Sequence, residues 1–210
     1  LRNLTDCRLY GILDLNYVVP SDADRVAAAM IEGDVDLIQL RAKESPVAEI
    51  VDLAGRLCKL TSTAGIPLIV NDYAEVAAQV PVEGIHVGQD DDSIAHARKK
   101  AGRQVLIGKS THSLEQAVAA EREGADYVGF GPIFATPTKP DYHPIGVTGI
   151  KRVHHEVSAP IFCIGGIKID NLGEVIAAGT KRVAIVSGLL KAPDIAKYAR
   201  ACKSLLEPET

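Results

Sequence analysis

Tryptophan is absent from this 210-residue sequence, and aromatic side chains are few, with 3 Phe and 6 Tyr. Nor is there a basic excess, since 23 Lys and Arg stand against 27 Asp and Glu for a formal net charge of −4. Nucleic-acid surfaces rely on basic patches and stacking aromatics, so no nucleic-acid partner is expected. No stretch approaches the roughly 20 apolar residues that a membrane-spanning helix needs. The opening residues, LRNLTDC, lack the charged-then-apolar layout of a secretory signal. The expectation is a cytoplasmic protein with no membrane partner. The four cysteines, Cys7, Cys58, Cys163 and Cys202, stand singly with no zinc-type spacing, which fits reduced packing thiols. No linker, low-complexity tract or charge run divides the sequence, so one domain spanning 1–210 is expected. At this length a fold buries roughly 70% of the surface the unfolded state exposes.

What is present is one repeating unit: an amphipathic stretch, a glycine, then a short β-branched run ending in polar residues. Ala23, Val26, Ala27, Met30 and Ile31 share one helix face behind Ser21 as N-cap and before Gly33 as stop. Ile50, Leu53, Ala54, Leu57 and Cys58 repeat the spacing ahead of Gly65, and Leu114, Ala117 and Val118 follow a Ser113–Gln116 capping box. Gly124 and Gly179 close two further helices. Between helices lie eight short runs: 9–13, 36–40, 67–70, 84–87, 105–107, 127–130, 160–164 and 182–186. A helix-sized crossover separates each from the next, which parallel pairing requires. Eight such units predict a single-domain α/β fold, a (β/α)8 TIM barrel with a closed parallel sheet. An open doubly wound sheet is disfavoured, because DLNYVVPSD follows the first run in place of a glycine-rich turn. The longest irregular stretch, 132–147, reads PIFATPTKPDYHPIGV and is expected to be an active-site flap.

Barrel chemistry collects where strands end. The second strand ends in Gln39, Arg41 and Lys43, which alternation sends to one side, and two cations there suggest an anion. A solvated stripe of exposed ion pairs is the bland alternative. The third strand ends in Asn71-Asp72 and the fourth runs from His86 to Gln89, Asp90, Asp91 and Asp92. Carboxylates beside Lys and Arg suit a magnesium–diphosphate site, although Asp91 or Asp92 as a helix cap is the competing role. The fifth strand ends in Lys109, Ser110, Thr111 and His112, and the flap adds Thr136, Thr138 and Lys139. His112 suits proton transfer by its titration range, yet a hydrogen-bonded structural role is the commoner fate of such a residue. The seventh and eighth strands run into Gly165-Gly166 and Ser187-Gly188, the loops that cradle a phosphate monoester in many barrels. Two anion sites, one metal-assisted and one metal-free, imply two phosphorylated small-molecule substrates.

In order and spacing these residues resemble the thiamine-phosphate synthase (thiamine-phosphate pyrophosphorylase) family over about residues 8–190. The motifs are Gln39-x-Arg41-x-Lys43, Asn71-Asp72, Gly84-Ile85-His86-x-Gly88-Gln89-x-Asp91, Gly108-x-Ser110, Asp126-Tyr127-x-Gly129-x-Gly131-Pro132, Thr136-x-Thr138-Lys139, Gly165-Gly166 and Val186-Ser187. The resemblance implies a transferase joining a hydroxymethylpyrimidine diphosphate to a hydroxyethylthiazole phosphate, with Mg2+ as cofactor. It implies Asp72 and Asp91 as metal ligands, and Gln39, Lys43, Asn71 and Ser110 on the pyrimidine diphosphate. Arg41 and Lys139 fall on its phosphates, and Arg41, Ser110 and Lys139 are the expected catalytic residues. Thr136, Thr138, Gly166, Val186 and Ser187 fall on the thiazole phosphate. Where this sequence reads LYGILDLNYV, family members commonly end the first strand in Thr-Asp, and no role is carried over to that end. Two rivals are a thiazole tautomerase-type relative using His112 and a non-catalytic thiazole-phosphate-binding barrel. A sugar-phosphate isomerase fits the paired acids poorly. A homodimer through the outer helices is compatible with the pattern, and no contiguous apolar stripe decides it.

Overall fold

The computed structural model describes residues 2–136 and 143–207. Eight parallel strands close into a barrel in sequence order: β1 (Leu9–Asp14), β2 (Leu37–Arg41), β3 (Leu68–Asn71), β4 (Gly84–Val87), β5 (Leu106–Thr111), β6 (Tyr127–Phe130), β7 (Ile161–Ile164) and β8 (Val183–Ile185). Register pairs such as Asp14 with Arg41 and Asn71 with His86 set neighbouring strand ends side by side. Around them run α1 (Ala23–Glu32), α2 (Val47–Ala64), α3 (Ile94–Ala101), α4 (Leu114–Arg122), α5 (Ile150–Glu156), α6 (Ile169–Ala177), the one-turn α7 (Ser187–Leu190) and α8 (Ile195–Leu206). None of the described helices is long and apolar enough to cross a membrane.

The alternation of each strand divides the apolar residues between two cores. Leu9, Leu13, Ile38, Leu40, Val70 and Ile85 face the helices. Tyr10, Ile12, Leu37, Ile69, Tyr127 and Phe162 fill the barrel interior. The helix stripes meet the first core as their spacing requires: Ala23, Val26, Ala27 and Met30 of α1, and Ile50, Leu53, Ala54, Leu57 and Cys58 of α2, are all buried. All four cysteines are buried and unbridged.

Several local expectations change. The β3–β4 crossover carries only a 3-10 turn over Ala74–Ala78, so a single tight turn suffices where an α-helix was expected. Ser21 does not cap α1: it lies within a 3-10 turn, Pro20–Asp22, that leads into the helix. Gly65 does end α2, at φ 69°. Ser113 accepts from the Gln116 amide at 3.2 Å, but Gln116 reaches back to the His112 amide rather than closing a strict capping box. Strand β5 runs four residues beyond its expected end, and this carries Ser110 and Thr111 to the mouth of the barrel.

Candidate active site

At the C-terminal mouth the inward-facing strand residues line one cavity. Gln39 and Arg41 come from β2, Asn71 from β3, His86 from β4, Ser110 from β5 and Ile164 from β7. Thr136, Gly166, Val186 and Ser187 complete the wall on the far side. Asn71 is buried, and its Nδ2 has no hydrogen-bond partner among the described residues, which suits a donor to a ligand. Arg41 is also buried and its Nη1 donates to Asp14 Oδ2 at 2.5 Å. Asp14 ends β1, the strand end to which the resemblance gave no role. Its register opposite Arg41 makes it the residue that holds the guanidinium in place.

Lys43 departs from its expected place. It lies past the end of β2, where alternation no longer applies, and its Nζ sits 3.3 Å from Asp72 Oδ2 in a neighbouring groove. That groove also holds Asp91, Asp92 and Lys100. Asp72 adopts φ 67°, a left-handed conformation uncommon outside glycine, while its amide still donates to His86 O at 2.8 Å. The turn sets the carboxylate beside Lys43 and Asp91. Burial first, then the neighbouring Asp91, pushes the Asp72 carboxyl well above the ordinary carboxylate range, and Lys43 offsets this only in part. Neither Asp91 nor Asp92 caps α3; Ser93 does, accepting from the His96 amide at 3.2 Å. Asp91 instead accepts from the Gly88 amide at 2.7 Å, and Asp92 pairs with Lys100 at 2.9 Å.

On the opposite wall, the base of the flap is pinned. Ile133 N donates to Ile164 O and Phe134 N to Gly165 O, at 2.8 and 2.9 Å. The returning limb closes the base, with Ile145 N donating to Pro132 O at 2.8 Å. Gly166 is required here: at φ 65°, a β-carbon would come within 2.6 Å of Ala135 O. The Gly165-Gly166 pair lies two residues ahead of the α6 N-cap and so does not open that helix, whereas Ser187 does open α7. His112 lines the same cavity, with Nδ1 engaged by Gly131 O. Lys109 does not line the cavity and donates from Nζ to Gly88 O at 2.6 Å. Thr138 and Lys139 lie outside the described residues, as does the middle of the flap.

A closed parallel barrel whose mouth gathers buried donors, an acid pair and glycine-rich loops has the layout of a (β/α)8 enzyme. Comparison with known proteins narrows the class. A family model described as thiamine monophosphate synthase matches residues 9–189, and the chain belongs to that family. It is 41% identical over 207 residues to a thiamine-phosphate synthase of Chloroflexus aurantiacus, covering 98% of this chain and 95% of that one. A thiamine-phosphate synthase of Halalkalibacterium halodurans is 41% identical over 205 residues, covering 97% of each. Among solved structures, the thiamine phosphate pyrophosphorylase of Pyrococcus furiosus superposes with a TM-score of 0.88 at 31% identity, covering 97% of this chain and 96% of that one. The protein is thus an enzyme of thiamine biosynthesis and a transferase.

Proposed function

We propose that the enzyme joins 4-amino-2-methyl-5-hydroxymethylpyrimidine diphosphate to hydroxyethylthiazole phosphate, releasing diphosphate and giving thiamine phosphate, with Mg2+ as cofactor. The observation that carries this reading is the division of the mouth. On one side stands an acid pair beside Lys43, and on the other a wall of Thr136, Gly166, Val186 and Ser187. Two small phosphorylated substrates need two such anion sites.

The acid pair fits a divalent cation by its donor chemistry. Asp72, whose pKa is raised first by burial and then by the neighbouring Asp91, would gain from a cation between the two carboxylates, and Mg2+ typically takes one or two carboxylates, with water and substrate phosphate completing its shell. Among the described residues no group of three or more His, Cys, Asp or Glu is placed to hold a metal ion. Asp72 and Asp91 would hold the ion, which when bound neutralises charge on the departing diphosphate. Lys43, Arg41 and Lys139 take the remaining phosphate charge, with Arg41 oriented by Asp14. Gln39, Asn71 and Ser110 hold the pyrimidine, whose amino group stabilises the methylene cation left when diphosphate departs. Thr136, Thr138, Gly166, Val186 and Ser187 bind the thiazole phosphate so that its ring nitrogen faces that carbon. No side-chain nucleophile is needed: positioning and electrostatics supply the rate. A cytoplasmic location and a homodimer belong to the same proposal.

The test is turnover with both substrates and Mg2+, thiamine phosphate being detected as its fluorescent oxidised product, with and without EDTA. Metal-dependent product is expected. Binding of thiazole phosphate without product would move the weight to a non-catalytic barrel, and turnover of a thiazole carboxylate phosphate alone to a His112 tautomerase.

A further inference from the structure

Along the cavity floor, a row of largely buried polar side chains spans the barrel. Gln39 Nε2 contacts Tyr10 Oη at 2.6 Å, and Tyr10 Oη lies 2.9 Å from Tyr127 Oη. Tyr127 Oη lies 3.1 Å from His86 Nδ1, and His86 Nε2 lies 2.9 Å from Ser110 Oγ. Tyr10, Gln39 and Tyr127 are almost wholly enclosed, at 2%, 2% and 0% exposure. A core of this kind is ordinarily built from aliphatic residues, and these polar groups serve no packing need that Leu or Phe could not meet. Space is cleared for them: a β-carbon at Gly108 would fall 2.1 Å from Tyr127 Cζ and 2.5 Å from His86 Nδ1. Gln39, Tyr10, His86 and Ser110 line the cavity, and Tyr127 is enclosed behind them.

Counting protons gives the row a direction. Burial raises the pKa of both tyrosines, so each keeps its single hydroxyl proton. With Gln39 donating to Tyr10, the Tyr10 proton goes to Tyr127 and the Tyr127 proton to His86 Nδ1. In its neutral form the imidazole then carries its proton on Nε2 and donates it to Ser110 Oγ. The Ser110 hydroxyl proton is left for the cavity. With Gln39 donating, the reverse order from Tyr127 onward leaves the Tyr10 proton buried without an acceptor, which folded proteins avoid.

We propose that Tyr10, Tyr127 and His86 are positioning residues that set Ser110 as a hydrogen-bond donor and hold Gln39 in register with it, so that the barrel interior fixes the orientation of the pyrimidine. This rests on the substrate reading above, but the row itself can be read without substrate. Imidazole nitrogen NMR on histidine-labelled protein at mildly alkaline pH should find His86 in the Nε2–H form, and Tyr127→Phe should lose that preference. In the same variant kcat/KM for the pyrimidine diphosphate should fall roughly 10- to 100-fold, mostly in kcat. KM for the thiazole phosphate should change by less than about twofold, a split that a general loss of packing would not produce. Tyr10→Phe, should Tyr127→Phe fold poorly, is expected to keep the His86 tautomer and raise the pyrimidine KM. Ile69→Val, in the same interior layer but off the row, should lower the melting temperature and leave both KM values in place. An Nδ1–H form in the wild type, or wild-type constants in Tyr127→Phe, would overturn the proposal. If the wild type made no thiamine phosphate, the substrate reading would fall, while the Nε2–H form and its loss in Tyr127→Phe would still uphold the row.

Discussion

Two aspartates at opposite ends of the barrel, one buried and one half-buried, are treated in opposite ways. Asp36, just before β2 at the closed end, is 2% exposed, and its oxygens are fully engaged. Oδ2 accepts from the amides of Arg8 and Leu9 at 2.8 and 2.9 Å, while Oδ1 meets Lys203 of α8 and Arg2 of the N-terminal segment. Burial alone would raise its pKa, yet Lys203 and the two amides hold it below the usual carboxylate value. Asp72, at the mouth, is turned by its left-handed backbone toward a second carboxylate, and its pKa moves the other way. One carboxylate is spent on joining chain termini to the barrel; the other is left short of positive charge. In the proposed function a ligand cation would complete the second, so the contrast would separate the end that stabilises from the end that acts.

The largest effect on folding should come from Asp36→Asn, which strands Lys203 beside a neutral amide and is expected to cost about 3–5 kcal/mol in urea unfolding. A loss below about 1 kcal/mol would break the contrast at its stabilising end. Asp91→Ala should instead leave stability within about 1 kcal/mol and slow turnover roughly 10²- to 10³-fold, about 3–4 kcal/mol in barrier. Near-wild-type turnover would remove Asp91 from the site.

A smaller effect comes from acid. His154 of α5 is held neutral by burial and by Arg182 and Lys181, its pKa lowered from 6.5 to about 4. Its folded value lies below its unfolded one, so its contribution is full above pH 6.5 and declines as the pH falls toward 4. The raised Asp72 carboxyl acts in the opposite sense over much of that window, so the test is a difference: His154→Gln should lose less melting temperature than the wild type between pH 6.5 and 4. Asp36 acts only lower down, its contribution fading as the pH passes below the ordinary carboxylate value. Smallest of all, Arg25→Ala removes an exposed pair with Asp22 and should cost no more than about 0.5 kcal/mol.

Much of this was legible in the sequence because a parallel barrel repeats two simple periods. The helical stripes and eight β-branched runs carried the architecture, and the polar strand ends carried Gln39, Arg41, Asn71, Ser110 and Ser187 to one cavity. Lys43 misled because alternation stops with the strand at Arg41. Asp14 was overlooked because its meaning lies in register with a neighbouring strand, which spacing along one strand does not encode. The row from Gln39 to Ser110 was hidden for the same reason on a larger scale. Tyr10, His86 and Tyr127 sit on β1, β4 and β6, and only closure of the barrel brings their polar ends together.

The most direct measurement is the thermal shift produced by Mg2+ with inorganic diphosphate on the wild type, Asp72→Asn and Asp91→Ala. A mouth built to hold a cation and diphosphate should give the wild type a clear, EDTA-reversible rise in melting temperature that both variants lose. No rise in the wild type, or the same rise in the variants, would contradict the assignment of the Asp72–Asp91 pair.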